Sequence, residues 1–235
     1  RRLKKSTRKF RNALLKKGKV ALIAEIKAAS PSKGTIRKRF GLGKVAGFYN
    51  EYADAISVLT DRKFFNGSLE NLKRVSEITK KPLLRNDFII DAYQIYEARL
   101  YGADAVLLIA NILTEKQIND FIGIAGSMGV DCLVEVDSAA ELQKVLRTRT
   151  KILGINNRNL NTFSVDKNKI LKLVEFLQRK GNLYLVDEEG SFVPSSHGSQ
   201  LKYDLNPERI SDEAFKTPMI VLGYDLEILK SFKSF

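Results

Sequence analysis

The sequence predicts an α/β chain folded as a single (β/α)8 (TIM) barrel, and three observations predict it. Short β-branched apolar runs recur along the chain, each is followed by a stretch with helical spacing, and eight such pairs fit within 235 residues. The alternation is the signature of parallel βα units, and α/β barrels of this length form one domain. A doubly wound open sheet is the other arrangement with this alternation. No G-x-G-x-x-G follows any of the runs to mark its dinucleotide site.

Taken in order, the first 19 residues stand apart. Arg1 to Lys19 holds ten Lys and Arg and no acid, which leaves thirty basic against 27 acidic residues, a charge of +3, for the rest of a chain whose net charge is +13. The expected organisation is therefore a basic N-terminal extension over residues 1–19 and one barrel over residues 20–235. Such an extension can neutralise phosphates or dock on an acidic partner. It can equally be a solvated amphipathic helix, with Leu3, Phe10, Leu14 and Leu15 sharing one side. The absence of an initiator Met and of an apolar secretory core leads us to expect a mature form or a chain trimmed of a leader.

The expected strands are "VALIAEI" (Val20 to Ile26), "AISVLT" (Ala55 to Thr60), "PLLRNDF" (Pro82 to Phe88) and "DAVLLIA" (Asp104 to Ala110), then "DCLVEV" (Asp131 to Val136), "KILGIN" (Lys151 to Asn156), "LYLVDE" (Leu183 to Glu188) and "MIVLG" (Met219 to Gly223). Helices are expected after Asp91, Thr114 and Ser138, each a good N-cap, and two of the three segments close on Gly. Beyond Gly190 the chain is polar and rich in Pro and Ser. It has room for one short helix, capped by Asn206 with Pro207 in its first turn. The seventh barrel helix is thus expected to be missing or rebuilt.

Composition excludes several function classes. The longest apolar runs, such as Ala105 to Ala110, fall far short of the ~20 residues of a membrane span. Cys132 is the single cysteine and His197 the single histidine. No internal disulfide can form, so a reducing compartment is expected, and with neither a Cys/His cluster nor a Ser/His/Asp spacing, zinc chemistry and triad hydrolysis are not expected. We expect no metal and no cofactor.

Chemistry concentrates at the ends of the strands. In "IAEIKAASPSKG" (Ile23 to Gly34), Glu25 and Lys27 are two apart and so share a face, which in a barrel is the lumen at its catalytic rim. An ordinary buried ion pair would look the same. With "SVLTDRKFFNGS" (Ser57 to Ser68), "DAYQIYEARLYGADAVLLIA" (Asp91 to Ala110), "LVEV" (Leu133 to Val136) and "GINNRNLNTFSVD" (Gly154 to Asp166), this segment resembles indole-3-glycerol phosphate synthases over residues ~20 to ~190. The motifs stand in family order at family spacing, closest to plant and cyanobacterial forms.

The resemblance implies a barrel that closes the indole ring of an anthranilate-derived ribulose phosphate, the step of tryptophan biosynthesis that releases carbon dioxide and water. It further implies that Glu25 and Lys27 bind and polarise the substrate, that Glu135 takes the general base's place, and that Asn156 and Glu188 complete the pocket. Ser30, Phe65, Gly190 and Gly223 fall at substrate- or phosphate-contacting positions. An organelle such as the plastid is the compartment that plant-type resemblance suggests. Ring closure needs a proton delivered to a carbonyl oxygen, a base, and cationic or dipolar support for an anionic substrate.

Two departures matter. The family's third strand reads approximately P-L-L-x-K-[DE]-F, with the Lys as general acid, and here that position is Asn86. An amide has no titratable proton near neutral pH, so catalysis worth roughly 10²- to 10⁴-fold would be lost. Arg85 points to the other face and is a poor proton donor. The phosphate cradle also departs, with "DEEG" (Asp187 to Gly190) where the family has G-E-S-G and "GYD" (Gly223 to Asp225) in place of its G-[ES]-S turn. Asp187, Glu189 and Asp225 would face a dianion at about 1 to 4 kcal/mol each. A shift of register in the C-terminal third, turning these acids outward, is the alternative for the cradle. It does not touch Asn86.

Three functions remain. The favoured one is a catalytically inactive synthase-like barrel, a pseudoenzyme kept as a structural or docking subunit of a larger protein complex, with nucleic acid a second partner class reached through Arg1 to Lys19. The others are a working synthase in which Lys27 does double duty, and a barrel rebuilt for another small ligand.

Overall fold

The computed structural model describes residues 3–15, 21–27, 29–30, 34–35, 41–156, 185–186, 192–193 and 219–222. Its main sheet is parallel and runs β1 (Ile23–Ile26), β2 (Ala55–Leu59), β3 (Leu83–Asn86), β4 (Ala105–Ile109), β5 (Asp131–Val136), β6 (Ile152–Ile155) and β7 (Met219–Leu222), each hydrogen-bonded to the next. Consecutive parallel strands with helices between them are the βα units of the (β/α)8 class. The helices are α1 (Phe10–Leu14), α2 (Leu42–Tyr52), α3 (Arg62–Phe65), α4 (Leu69–Ile78), α5 (Tyr93–Leu100), α6 (Glu115–Ser127) and α7 (Ala139–Val145).

One expected strand lies elsewhere. Leu185–Val186, inside the run expected to be the seventh strand, pairs antiparallel with Phe192–Val193, and Met219–Leu222 lies directly against Ile152–Ile155. All four residues of Met219–Leu222 pair with β6 in register, and the remaining residues of the run expected as the seventh strand lie outside the described residues. The Asn206 cap and the seventh helix lie outside the described residues.

Alternation along each strand divides the apolar residues into two cores. Ala24, Ile26, Ile56, Val58, Leu83, Val106, Leu108, Val134, Val136, Leu153 and Ile155 pack outward against the helices. Ile23, Ala55, Leu84, Ala105, Leu107, Leu133 and Ile152 face inward. That split is the period-two pleat applied to strands covered on both faces.

The N-terminal residues close the inner core from below. Phe10 and Leu14 of α1 are buried in it and Leu15 packs beside them. Leu3 does not share their side, because it packs on the outer core. The five-residue helix is too short to stand alone, so tertiary packing holds it. Arg8 Nε lies 2.7 Å from Asp104 Oδ2, and Ser6 Oγ donates to Asp104 Oδ1 at 2.6 Å.

The expected helix signals act as such. Gly102 and Gly129 close their segments at φ 96° and 68°, where only glycine is unstrained. Ser138 Oγ accepts from Glu141 N. Asp91 Oδ1 accepts from Tyr93 N at 2.7 Å, although the cap position itself is Ala92, one residue later than expected. Thr114 and Gln117 form a reciprocal capping box at the head of α6. Thr114→Ala is expected to lower stability by about 1 kcal/mol, read as a fall in the denaturation midpoint at constant m-value.

Candidate active site

Inward parity carries upward from the inner core to the carboxyl ends of the strands. Glu25 shares the face of Ile23, Ser57 that of Ala55, Asn86 that of Leu84 and Glu135 that of Leu133. Each is the next inward residue, so the lumen turns polar at its upper rim. Among the described residues this rim is where the expected site residues meet.

On the β1 to β3 side the contacts centre on one carboxylate. Lys27 Nζ donates to Glu25 Oε1 at 2.5 Å, and Asn86 Nδ2 donates to Glu25 Oε2 at 3.3 Å and to Ser57 Oγ at 3.4 Å. Lys27 and Glu25 have side-chain exposures of 40% and 37%, so the pair is open to solvent and to any ligand. On the β5 to β6 side Asn156 Nδ2 donates to Glu135 Oε1 at 3.1 Å. Gly154, inward on β6, is the register partner of Glu135.

Arg85 points away, as strand parity requires. It is 3% exposed, and its guanidinium donates to Asp87 at 2.9 Å, to Glu97 at 2.8 Å and to the Gln94 carbonyl at 2.8 Å. Asp87 also accepts from Thr60 Oγ1 at 2.6 Å. This outer cluster ties the end of β3 to β2 and α5 and holds Asn86 inward. Sequence reasoning missed Ser57, Thr60 and Asp87 as parts of the site's framework. The signal available for Ser57 was its parity with Ala55 inside a quoted motif.

Phe65 ends α3 at the same rim, its ring 6.5 Å from Phe88, while Phe64 meets Phe88 edge-on at 5.9 Å. The turn beyond α3 passes through Asn66 at φ 50° and returns at Gly67, where a Cβ would sit 2.3 Å from the Leu59 carbonyl oxygen. Only glycine fits so close to β2. Ser30 lies in a two-residue strand paired with Gly34–Thr35. Glu188, Gly190 and Gly223 lie outside the described residues.

Burial, with Asp131 alongside, pushes the Cys132 thiol well above its ordinary value, so it stays protonated at neutral pH. Among the described residues no group of three or more His, Cys, Asp or Glu could hold a metal ion, and no helix is long and apolar enough to cross a membrane.

A parallel βα sheet whose inward residues turn polar at the carboxyl ends of the strands is the architecture of the (β/α)8 barrel class. A sequence profile of the indole-3-glycerol phosphate synthase family matches residues 1–195. The chain is 48% identical to the indole-3-glycerol phosphate synthase of Petrotoga mobilis over 178 residues, 74% of this chain and 70% of that one. It is 46% identical to that of Lachnospira eligens over 77% of this chain and 68% of that one, and 48% identical to that of Trichodesmium erythraeum over 81% and 63%. The chain therefore spans about two thirds of the length of these relatives. It belongs to the indole-3-glycerol phosphate synthase family.

Proposed function

We propose that this chain is a family barrel that has lost ring-closing catalysis and serves as a structural or docking subunit of a larger assembly. The observation that carries the proposal is Asn86. It stands at the carboxyl end of β3, inward-facing, where the family's strand has its general-acid lysine, and its amide is engaged with Glu25 and Ser57.

Ring closure onto the ribulose carbonyl requires a proton on the developing oxygen before water can leave. An amide N–H polarises that oxygen but does not release its proton, so the step loses its acid while the carbonyl keeps its neighbours. The other rim groups fit a retained pocket. Lys27 supplies a cation toward an anionic substrate, Glu135 is held by Asn156 in the place of the base, and Glu25 holds both Lys27 and Asn86. Binding without turnover is what such a set supports.

A working synthase is the second reading, and one contact favours it. Lys27 and Asn86 share the Glu25 carboxylate, so an ammonium already stands one side chain away from the missing acid. Turnover of the carboxyphenylamino-deoxyribulose phosphate at high protein concentration separates the two. The silent barrel is expected to form indole glycerol phosphate at least about 10²-fold more slowly than a relative that keeps the lysine. A rate close to that relative's overturns the proposal in favour of Lys27.

A further inference from the structure

The basic N-terminal segment has no part in the pocket, which opens at the other end of the sheet. Residues 3–9 cross the floor, where the loops lead into the strands. Ser6 N donates to the Met128 carbonyl at 2.9 Å, Arg8 donates to the Thr79 and Gly102 carbonyls, and Arg99 Nε donates to the Lys4 carbonyl at 3.0 Å. These contacts sort the side chains. Ser6 and Arg8 turn in to Asp104, while Lys4, Lys5, Thr7 and Lys9 stay exposed.

The surrounding loops extend the same sign. Lys80, Arg149 and Lys151 are exposed in the turns before β3 and β6. Three acids of the floor are already engaged: Asp54 accepts from Leu22 N, Asp131 accepts from Arg11 N, and the buried Asp104 takes both Arg8 and Arg99. At the edge, the exposed Glu51 and Glu77 are set against the exposed Lys73 and Arg74. The floor thus presents an excess of cations to solvent, with Asp104 buried and Asp54 and Asp131 half-buried and hydrogen-bonded, a distribution that attracts a polyanion.

We propose that this floor binds the sugar-phosphate backbone of double-stranded nucleic acid. The inference deepens the docking half of the function proposed above and rests on it. A protein partner needs a desolvated apolar anchor at the centre of its footprint, and residues 4–9 expose no apolar side chain. The exposed Ile78 and Leu100 are single residues at the ends of α4 and α5, and the exposed Leu22, Phe48 and Tyr52 belong to the edge formed by β1 and α2 rather than to residues 4–9. Single strands bind by stacking bases on aromatic rings, and residues 3–9 contain none. What the face offers is a set of flexible ammonium groups, and phosphates require only charge.

The test is fluorescence anisotropy of a short mixed-sequence DNA duplex titrated with the full chain. If about four phosphates are neutralised, affinity falls about 10²-fold between about 50 and about 200 mM salt. The triple variant Lys4→Glu, Lys5→Glu, Lys9→Glu is expected to bind at least about tenfold more weakly, with a salt slope shallower by about three. Its circular dichroism spectrum should match the parent's. Salt-independent or absent duplex binding, or a triple variant as tight as the parent, overturns the proposal. Tighter binding to polyglutamate of equal charge than to duplex also overturns it and leaves an acidic protein as the docking partner. The docking reading itself fails separately, if the same preparation runs alone in solution and turns over the ribulose phosphate at the rate of its lysine-bearing relatives.

Discussion

Asn86→Lys is expected to raise ring-closing turnover by about 10²- to 10⁴-fold over the parent chain, the usual worth of a positioned general acid. The geometry favours restoration. Asn86 Nδ2 lies 3.3 Å from Glu25 Oε2, so a lysine at this position can place its ammonium on a carboxylate that already holds Lys27 on its other oxygen. That carboxylate would offset the repulsion between the two cations. The Arg85, Asp87 and Thr60 cluster on the outer face would continue to aim the residue inward. Asn86→Met, which supplies length without a proton, should leave the rate unchanged, and single-turnover kinetics would read both. A parent as fast as the lysine variant would show that Asn86 is not what silences the barrel. A lysine variant that binds substrate but stays slow would place a second lesion at the phosphate end, where Asp187, Glu189 and Asp225 stand in the sequence.

Asp104→Ala is expected to lower stability by about 3 to 5 kcal/mol. This carboxylate is 1% exposed and gathers four donors from three parts of the chain: Ser6 Oγ at 2.6 Å, Arg8 Nε at 2.7 Å, Arg99 at 3.1 Å and Leu83 N at 2.9 Å. Removing it leaves two guanidiniums and a strand amide facing a cavity. For a domain with a total stability of about 5 to 15 kcal/mol, that is a large fraction. The denaturation midpoint should drop accordingly, and limited proteolysis should reach residues 3–15 sooner, because the Arg8 and Ser6 side chains that help moor them lose their shared partner. A loss under about 1 kcal/mol would mean that α1 is held by Phe10 and Leu14 alone.

Much of the fold was legible because it rests on local geometry. The apolar runs from Val20 to Asn156 became β1 to β6, and Thr114, Ser138, Gly102 and Gly129 act where their types predict. Strand parity put Glu25 beside Lys27 and sent Arg85 to the helices. Of the run from Leu183 to Glu188 only Leu185–Val186 is described, and its pairing with Phe192–Val193, like that of Met219–Leu222 with β6, is a choice of partner that no single strand states.

The candidate site was legible residue by residue but not as a set of contacts. That Asn86 bonds Ser57 follows from the pairing of Leu59 with Asn86 across β2 and β3, a register no single strand states. The bracing of β3 by Thr60 and Glu97 likewise needs three elements in place at once.

By itself the sequence determined the βα alternation, the inward and outward faces, and the amide at position 86, since these follow from periods of two and 3.6 residues and from side-chain chemistry. Only the tertiary structure decided where the basic N-terminus goes. Ser6 meets Asp104 across 98 residues of chain. A contact at that separation is set by which loop ends the assembled sheet brings together, and no local pattern encodes it. For the same reason the placing of Lys4, Lys5 and Lys9 at the floor is not written in the charge run itself.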